Sequence, residues 1–259
     1  MSASASGNVL FSLQNKTILV TGGTGGIGQA ISLRLARAGA SVLANYLRDE
    51  RAAEQLKATA TEEGLGIKLC RADLTNERGL EQLGSSVQEL GAGLSGFVHC
   101  AATGIHRPIE ELTERHFDWT LNLNVRAFFK LTKFLLPRFS EGSSIVAISS
   151  WGAVRAIPYY SLVGSSKGAL EALARHLAVE LAPRGIRVNI LTAGAVLTDI
   201  WKAMPDSEAR IAETVRRTPA GRLVTAEQVA YGVQFLCSDA AAGIIGQTLV
   251  IDNGIGVVA

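Results

Sequence analysis

The chain has 259 residues, 47% hydrophobic and 19% charged, with a formal net charge of +2, which suits one large α/β domain and excludes a disordered chain or a solvated helical array. The dispersed, weak positive charge argues against a nucleic-acid partner. No apolar run reaches roughly 18 residues and Met1–Lys16 lacks a basic leader before an apolar segment, so no membrane span or secretory signal is expected, and the location expected is cytoplasmic.

Residues 1–12 are small and polar and read as a flexible tail, leaving 13–259 as a single dinucleotide-binding catalytic domain. Strand Thr17–Thr21 runs directly into Gly22-Gly23-Thr24-Gly25-Gly26-Ile27-Gly28, followed by a helical pattern over Gly28–Arg37. Glycines at 22, 26 and 28 permit a tight turn, approach of a pyrophosphate to the backbone and close packing of helix on strand. Gly22, Thr24, Gly26, Ile27 and Gly28 are therefore cofactor-binding candidates. The alternative is a plain strand-to-helix turn.

The next strand, Ser41–Tyr46, ends Ala44-Asn45-Tyr46-Leu47-Arg48, with no acid before Asp49 to take the ribose diol of NAD. Arg48 can instead pair with a 2′-phosphate, so NADP(H) is favoured over NAD(H), with Asn45 and Tyr46 as neighbouring contacts. Otherwise Arg48 is a solvated helix-start residue.

Apolar runs at Gly66–Arg71, Gly96–Cys100, Ser144–Ser149, Ile186–Thr192 and Gln247–Asp252 complete a set of seven strands. Helical periods cover Asp49–Glu63, Asn76–Leu90, Thr113–Arg138, Tyr160–Leu181 and Thr225–Cys237. Continuous apolar strands alternating with helices predict a Rossmann-type, doubly wound parallel sheet with helices on both faces. The segment at about 197–219, with Trp201, Met204 and many charges, is too long for an ordinary connection and reads as a lid. Cys70, Cys100 and Cys237 form no CxxC pair, and His99, His106, His116 and His176 share no ligand spacing, so no metal is expected.

Taken together, TGGTGGIG, Asp73 in RADL, Asn124 in LNLNVRAFF, the strand end IVAISS, Lys167 in SSKGALEALARHLAVELAPRGIRVN and the closing IGQTLVIDNG resemble the short-chain dehydrogenase/reductase superfamily over nearly the full length. The common catalytic pattern there is Tyr-x-x-x-Lys, but four residues before Lys167 stands Val163, which has no proton to give. Tyr160 lies six intervening residues back. In a helix, positions i−4 and i−7 both fall within about 40° of the lysine's direction, so Tyr160 can face the same cleft. This Tyr-x6-Lys spacing is similar to that of the enoyl-acyl-carrier-protein reductases. His99-Cys100-Ala101-Ala102 and Ala193-Gly194 match that group too, and HRPIEELTERHFDWTLNLN resembles its type III members.

The resemblance implies that Tyr160, Lys167, Ser150 and Asn124 are catalytic. An enoyl thioester takes hydride at C3 and develops charge on the thioester oxygen, which a phenol set one turn outward suits. Lys167 is expected to lower the Tyr160 pKa and to hold the nicotinamide ribose. Ser150 is either an oxyanion donor or a cap, and Asn124 either organises water or makes a local backbone bond. Asp73 and Leu74 would meet adenine, although Asp73 equally suits capping; Cys100, Ala101, Val196 and Thr198 would line the rest of the cofactor. Gly25, however, stands where NADP-binding relatives often carry a base. Trp151, Tyr159 and Trp201 are substrate-site candidates, Trp151 alternatively a packing residue.

The expected reaction is reduction of an enoyl thioester on an acyl carrier protein or coenzyme A. The alternatives are a ketoreductase or alcohol dehydrogenase of a specialised pathway, and a non-catalytic NADP-binding sensor or scaffold. A homotetramer pairing the Thr113–Arg138 and Tyr160–Leu181 helices between subunits is also implied.

Overall fold

A computed structural model of the chain describes residues 10–91, 93–197 and 207–258. The strands are β1 (Thr17–Thr21), β2 (Ser41–Tyr46), β3 (Ile67–Arg71), β4 (Leu94–His99), β5 (Phe139–Ser150), β6 (Arg187–Ala193) and β7 (Thr248–Ile251). They form a 7-stranded sheet in the order β3-β2-β1-β4-β5-β6-β7, parallel throughout. Every residue of β1 and β6 is buried, which explains why these strands read as unbroken apolar runs rather than as alternations.

Helices α1 (Gly26–Arg37), α2 (Glu50–Glu62), α3 (Glu77–Gln88), α4 (Glu114–Leu121), α5 (Ala127–Leu135), α6 (Ser161–Leu181), α7 (Ser207–Arg217) and α8 (Ala226–Cys237) join them. One core joins α3, α5 and α6 to the sheet around Phe97, Phe128 and Leu131. The other joins α1, α2 and α8 through Ile31, Leu56 and Val233. The expected doubly wound α/β architecture is the one observed. Because β1 lies between β2 and β4, the chain reverses direction across the sheet beside β1, which opens a crevice at the strands' carboxyl ends.

Three differences from the sequence expectation bear on the site. The helix expected across Thr113–Arg138 is α4, a π-helical turn at Asn122–Arg126, α5 and a closing 3-10 turn. The wider turn, a common device at functional sites, carries Asn124 to full burial. One wide turn shifts the apolar phase by a single residue, a step too small to divide the pattern into separate helices. Strand β5 begins at Phe139, not Ser144, because Phe139 pairs with Leu94 across a register irregularity between Leu94 and Gly96. Tyr160 is the residue before α6 rather than its first residue.

The described end of the expected tail is tied down. Gln234 Nε2 donates to the Phe11 carbonyl at 2.9 Å, and Leu13 is fully buried. Of the expected lid, α7 is largely exposed, whereas 198–206, with the candidates Thr198 and Trp201, lie outside the described residues.

Candidate active site

The glycine turn is built almost entirely of backbone. Gly22 has φ +62°, and a Cβ there would stand 2.9 Å from Ala101 Cα; a Cβ on Gly28 would stand 2.0 Å from the Gly22 carbonyl oxygen. Gly26 also has a positive φ, 31°. At Gly28 the restriction lies within the turn itself, whereas at Gly22 it is set by the backbone after β4. Gly23 N–H donates to the Asn45 carbonyl (2.8 Å) and Ser32 Oγ to the Gly23 carbonyl (2.9 Å), which fixes the turn to β2 and α1. Helix α1 starts with no side-chain cap and no acidic residue in its first turn, and nothing lies within 4 Å of a Cβ built at Gly25. An uncapped positive helix end facing open space fits the pyrophosphate of a dinucleotide. Thr24 is buried and Ile27 half-buried within the same turn.

At the adenosine end the candidates divide. Asn45 is turned to the backbone: its amide donates to the carbonyls of Ala72 (3.0 Å) and Cys70 (3.3 Å), which joins β2 to the chain leaving β3. Tyr46 donates to Glu50 Oε2 at 2.9 Å, and Leu74 is in the core. The Asp73 carboxylate accepts from the Thr75 N–H (2.9 Å) and hydroxyl (2.6 Å), whereas the cap of α3 is Asn76. Arg48 is exposed and lines a cavity of about 390 Å³ with Arg115, His116 and Trp119.

Thr21, which sequence reasoning overlooked, links this half to the next. Its hydroxyl accepts from the N–H groups of Cys100 (3.2 Å) and Ala101 (3.3 Å) and meets His99 Nδ1 at 3.1 Å. A threonine closing a buried strand carries no sequence signal for this work. Burial pushes His99 down to about 3 and the Cys100 thiol up to about 11. Val196 is buried and forms a bridge with Val224.

On the other side of the crevice, the Tyr160 hydroxyl and Ser150 Oγ are 3.2 Å apart. Ser150 caps nothing with its side chain, so of its two expected roles the hydroxyl is directed to Tyr160. Tyr159 diverges from its neighbour. It adopts φ 62°, is 49% exposed, and lines an open cavity of about 810 Å³ together with Tyr160, Arg107, Ile109 and Val154. Trp151 takes the packing role, its indole donating to Asp252 Oδ2 at 3.0 Å beneath the Arg155 guanidinium.

Lys167 is buried on α6 and donates from Nζ to the Ile148 carbonyl at 2.8 Å. Burial pushes it down to about 8, opposed by the negative influence of Cys100 and Glu171. The expected lowering of the Tyr160 pKa by Lys167 is not what the geometry produces. Burial raises the phenol above its ordinary value against the opposing Ser150 hydrogen bond, while the ammonium is engaged by the β5 backbone. At neutral pH Tyr160 therefore remains a protonated donor.

Two supports complete the site. Asn124 Oδ1 accepts from the Thr103 N–H (2.8 Å), and its Nδ2 donates to the Thr103 carbonyl (2.9 Å) and Ser166 Oγ (2.9 Å). Its bonds are non-local, joining the loop after β4 to α6. Glu171, 5% exposed, accepts from Ser149 Oγ at 2.7 Å and Thr192 Oγ1 at 3.3 Å. An acid one turn beyond Lys167 in an otherwise apolar stripe was the signal that could have found it.

A family model described as Enoyl-(Acyl carrier protein) reductase matches residues 22–256. The chain is 35% identical over 243 residues to 1-cyclohexenylcarbonyl-CoA reductase of Streptomyces collinus, across 93% of this chain and 87% of that one. It is 37% identical over 250 residues to Dehydrogenase/reductase SDR family member 4 of Homo sapiens, across 93% and 88% of the respective chains. Among solved structures, a short chain dehydrogenase from Burkholderia cenocepacia in complex with NADP aligns with a TM-score of 0.86 at 34% identity, over 94% of this chain and 99% of that one.

Proposed function

We propose that this chain, which belongs to the short-chain dehydrogenase/reductase superfamily close to its enoyl reductases, reduces the carbon–carbon double bond of an α,β-unsaturated thioester. It is an NAD(P)H-dependent short-chain reductase. The observation that carries the enoyl reading is the position of the phenol: Val163 fills the place four residues before Lys167, and Tyr160, outside the helix, still reaches Ser150 at 3.2 Å.

The cofactor, when bound, supplies the hydride. Gly22, Gly26 and the amino end of α1 would hold its pyrophosphate, and Arg48 would take a 2′-phosphate, the reading that favours NADPH. Addition at C3 of the substrate moves the double-bond electrons through C2 onto the thioester oxygen. The Tyr160 hydroxyl, kept neutral by burial, donates to that oxygen, and Ser150 orients the hydroxyl. Return of the electrons to C2 with uptake of one proton completes the saturated thioester. Lys167, held by Ile148, supports the site as a cation, and Asn124 fixes the loop that closes it. Either coenzyme A or an acyl carrier protein can present such a thioester, and the Streptomyces collinus relative is named for a CoA substrate.

The deciding experiment follows NADPH oxidation with crotonyl and acetoacetyl thioesters in parallel. The enoyl substrate is expected to turn over faster, with Tyr160→Phe lowering kcat by about 10²–10³-fold as for loss of an oxyanion donor. Full activity in that variant, or turnover of the keto substrate alone, overturns the reading.

A further inference from the structure

The ring of His106, in the loop after β4, lies on the ring of Tyr160 with centroids 5.1 Å apart and planes 22° from parallel. The Tyr160 ring is confined elsewhere by two glycines. A Cβ on Gly152 would stand 2.4 Å from Tyr160 Cε1, and one on Gly164 would stand 3.5 Å from Tyr160 Cδ1. Glycine at these positions leaves the phenol a slot between backbone and imidazole.

The route by which His106 arrives runs through the residue that displaced the usual tyrosine. Val163 is 6% exposed, and a Cβ on Gly104 would stand 2.1 Å from Val163 Cγ2. The loop backbone thus rests directly on the valine, while Thr103 is pinned beside it by Asn124 at 2.8 and 2.9 Å. Two residues beyond Gly104, the chain delivers His106 to the outer face of Tyr160.

We infer that His106 is a positioning residue whose ring holds the Tyr160 phenol in its hydrogen bond to Ser150, with Val163 and Gly104 setting the loop that carries it. The inference rests on the reading of Tyr160 as the oxyanion donor. A phenol at the mouth of a helix, free on one face, would swing about its χ angles toward the adjacent cavity; a flat ring across that face restricts it to the reactive pose. Burial and the Arg210 guanidinium on α7 both hold His106 below its ordinary pKa, so a neutral ring contacts the phenol near pH 7. Stacking needs only a planar ring, and offset aromatic pairs of this spacing attract one another.

The test compares His106→Ala, His106→Phe and Tyr160→Phe. His106→Ala is expected to lower kcat about tenfold, with KM for NADPH and the melting temperature nearly unchanged, because only the pose of the phenol is lost. His106→Phe, which keeps the flat ring, is expected to recover most of that loss. In tyrosine-labelled protein, the ring-current shift of the Tyr160 ring protons should vanish in His106→Ala and persist in His106→Phe, an outcome independent of any assay. If Tyr160→Phe is impaired while His106→Ala keeps full kcat, or if His106→Phe is as slow as His106→Ala, the positioning role is wrong and the assignment of Tyr160 stands. If Tyr160→Phe keeps full activity, the donor assignment falls and this role falls with it.

Discussion

The two sides of the crevice are made from different materials. On the cofactor side, one continuous stretch from β1 to α1 supplies a cradle of main-chain atoms, and its geometry depends on side chains being absent. On the catalytic side, β5, α6 and the loop after β4 each contribute one or two side chains, brought together by bonds such as those of Asn124 to Thr103 and Ser166. The first leaves no room for a methyl group at Gly22 or Gly28, where a Cβ would stand 2.9 and 2.0 Å from backbone atoms. In the second, packing sets positions: Val163 stands four residues before Lys167, and the loop at Gly104 rests on it.

Substitution in the cradle should produce the largest loss. Gly28→Ala would place a Cβ 2.0 Å from a backbone oxygen that cannot move without opening the turn. It is expected to weaken NADPH binding by about 10²-fold or more and to destabilise the fold by about 1–3 kcal/mol. Fluorescence titration with the cofactor and denaturant unfolding measure the two effects. Unchanged affinity would show that the turn is not where the cofactor lies.

The catalytic side should instead reveal itself through charge. Lys167 is depressed from 10.5 to about 8 in the folded chain, so its ammonium is present below that pH and is lost above it. The kcat profile is expected to fall as pH rises through about 8, by up to tenfold per unit while the ammonium is required. Stability moves the other way: between the folded and unfolded values the unfolded chain binds more protons, so the burial penalty of the ammonium is relieved as pH rises from about 8 to 10.5. A kcat flat to pH 10 would remove the ammonium from the mechanism.

The smallest effect tests the seam where a side chain completes the backbone cradle. Arg48→Ala is expected to raise KM for NADPH about tenfold and leave that for NADH nearly constant, as for loss of one solvent-facing phosphate contact. Equal change with both cofactors would make Arg48 the solvated helix-start residue that remained the alternative.

The chain's legibility follows the same division. The parallel sheet and the glycine turn are written in short-range patterns: unbroken apolar strands and glycines at fixed offsets. Even Tyr160 against Tyr159 was favoured from spacing, and the structure separates them, one directed to Ser150 and the other 49% exposed. Periodicity did not reveal the π-helical turn at Asn122–Arg126, because a single wide turn moves the apolar phase by only one residue, a small step within a long helical pattern.

By itself, then, the amino-acid order determined the doubly wound architecture and the glycine turn after β1, since these follow from local apolar runs and from glycines at fixed offsets. Only the tertiary structure decided that Lys167 is bound to the Ile148 carbonyl instead of tuning the phenol, that Asn45 serves the backbone, and that His106 covers Tyr160. Those outcomes depend on distances between segments 19 to 54 residues apart, fixed by burial and by the volume of a valine where the superfamily usually has a tyrosine.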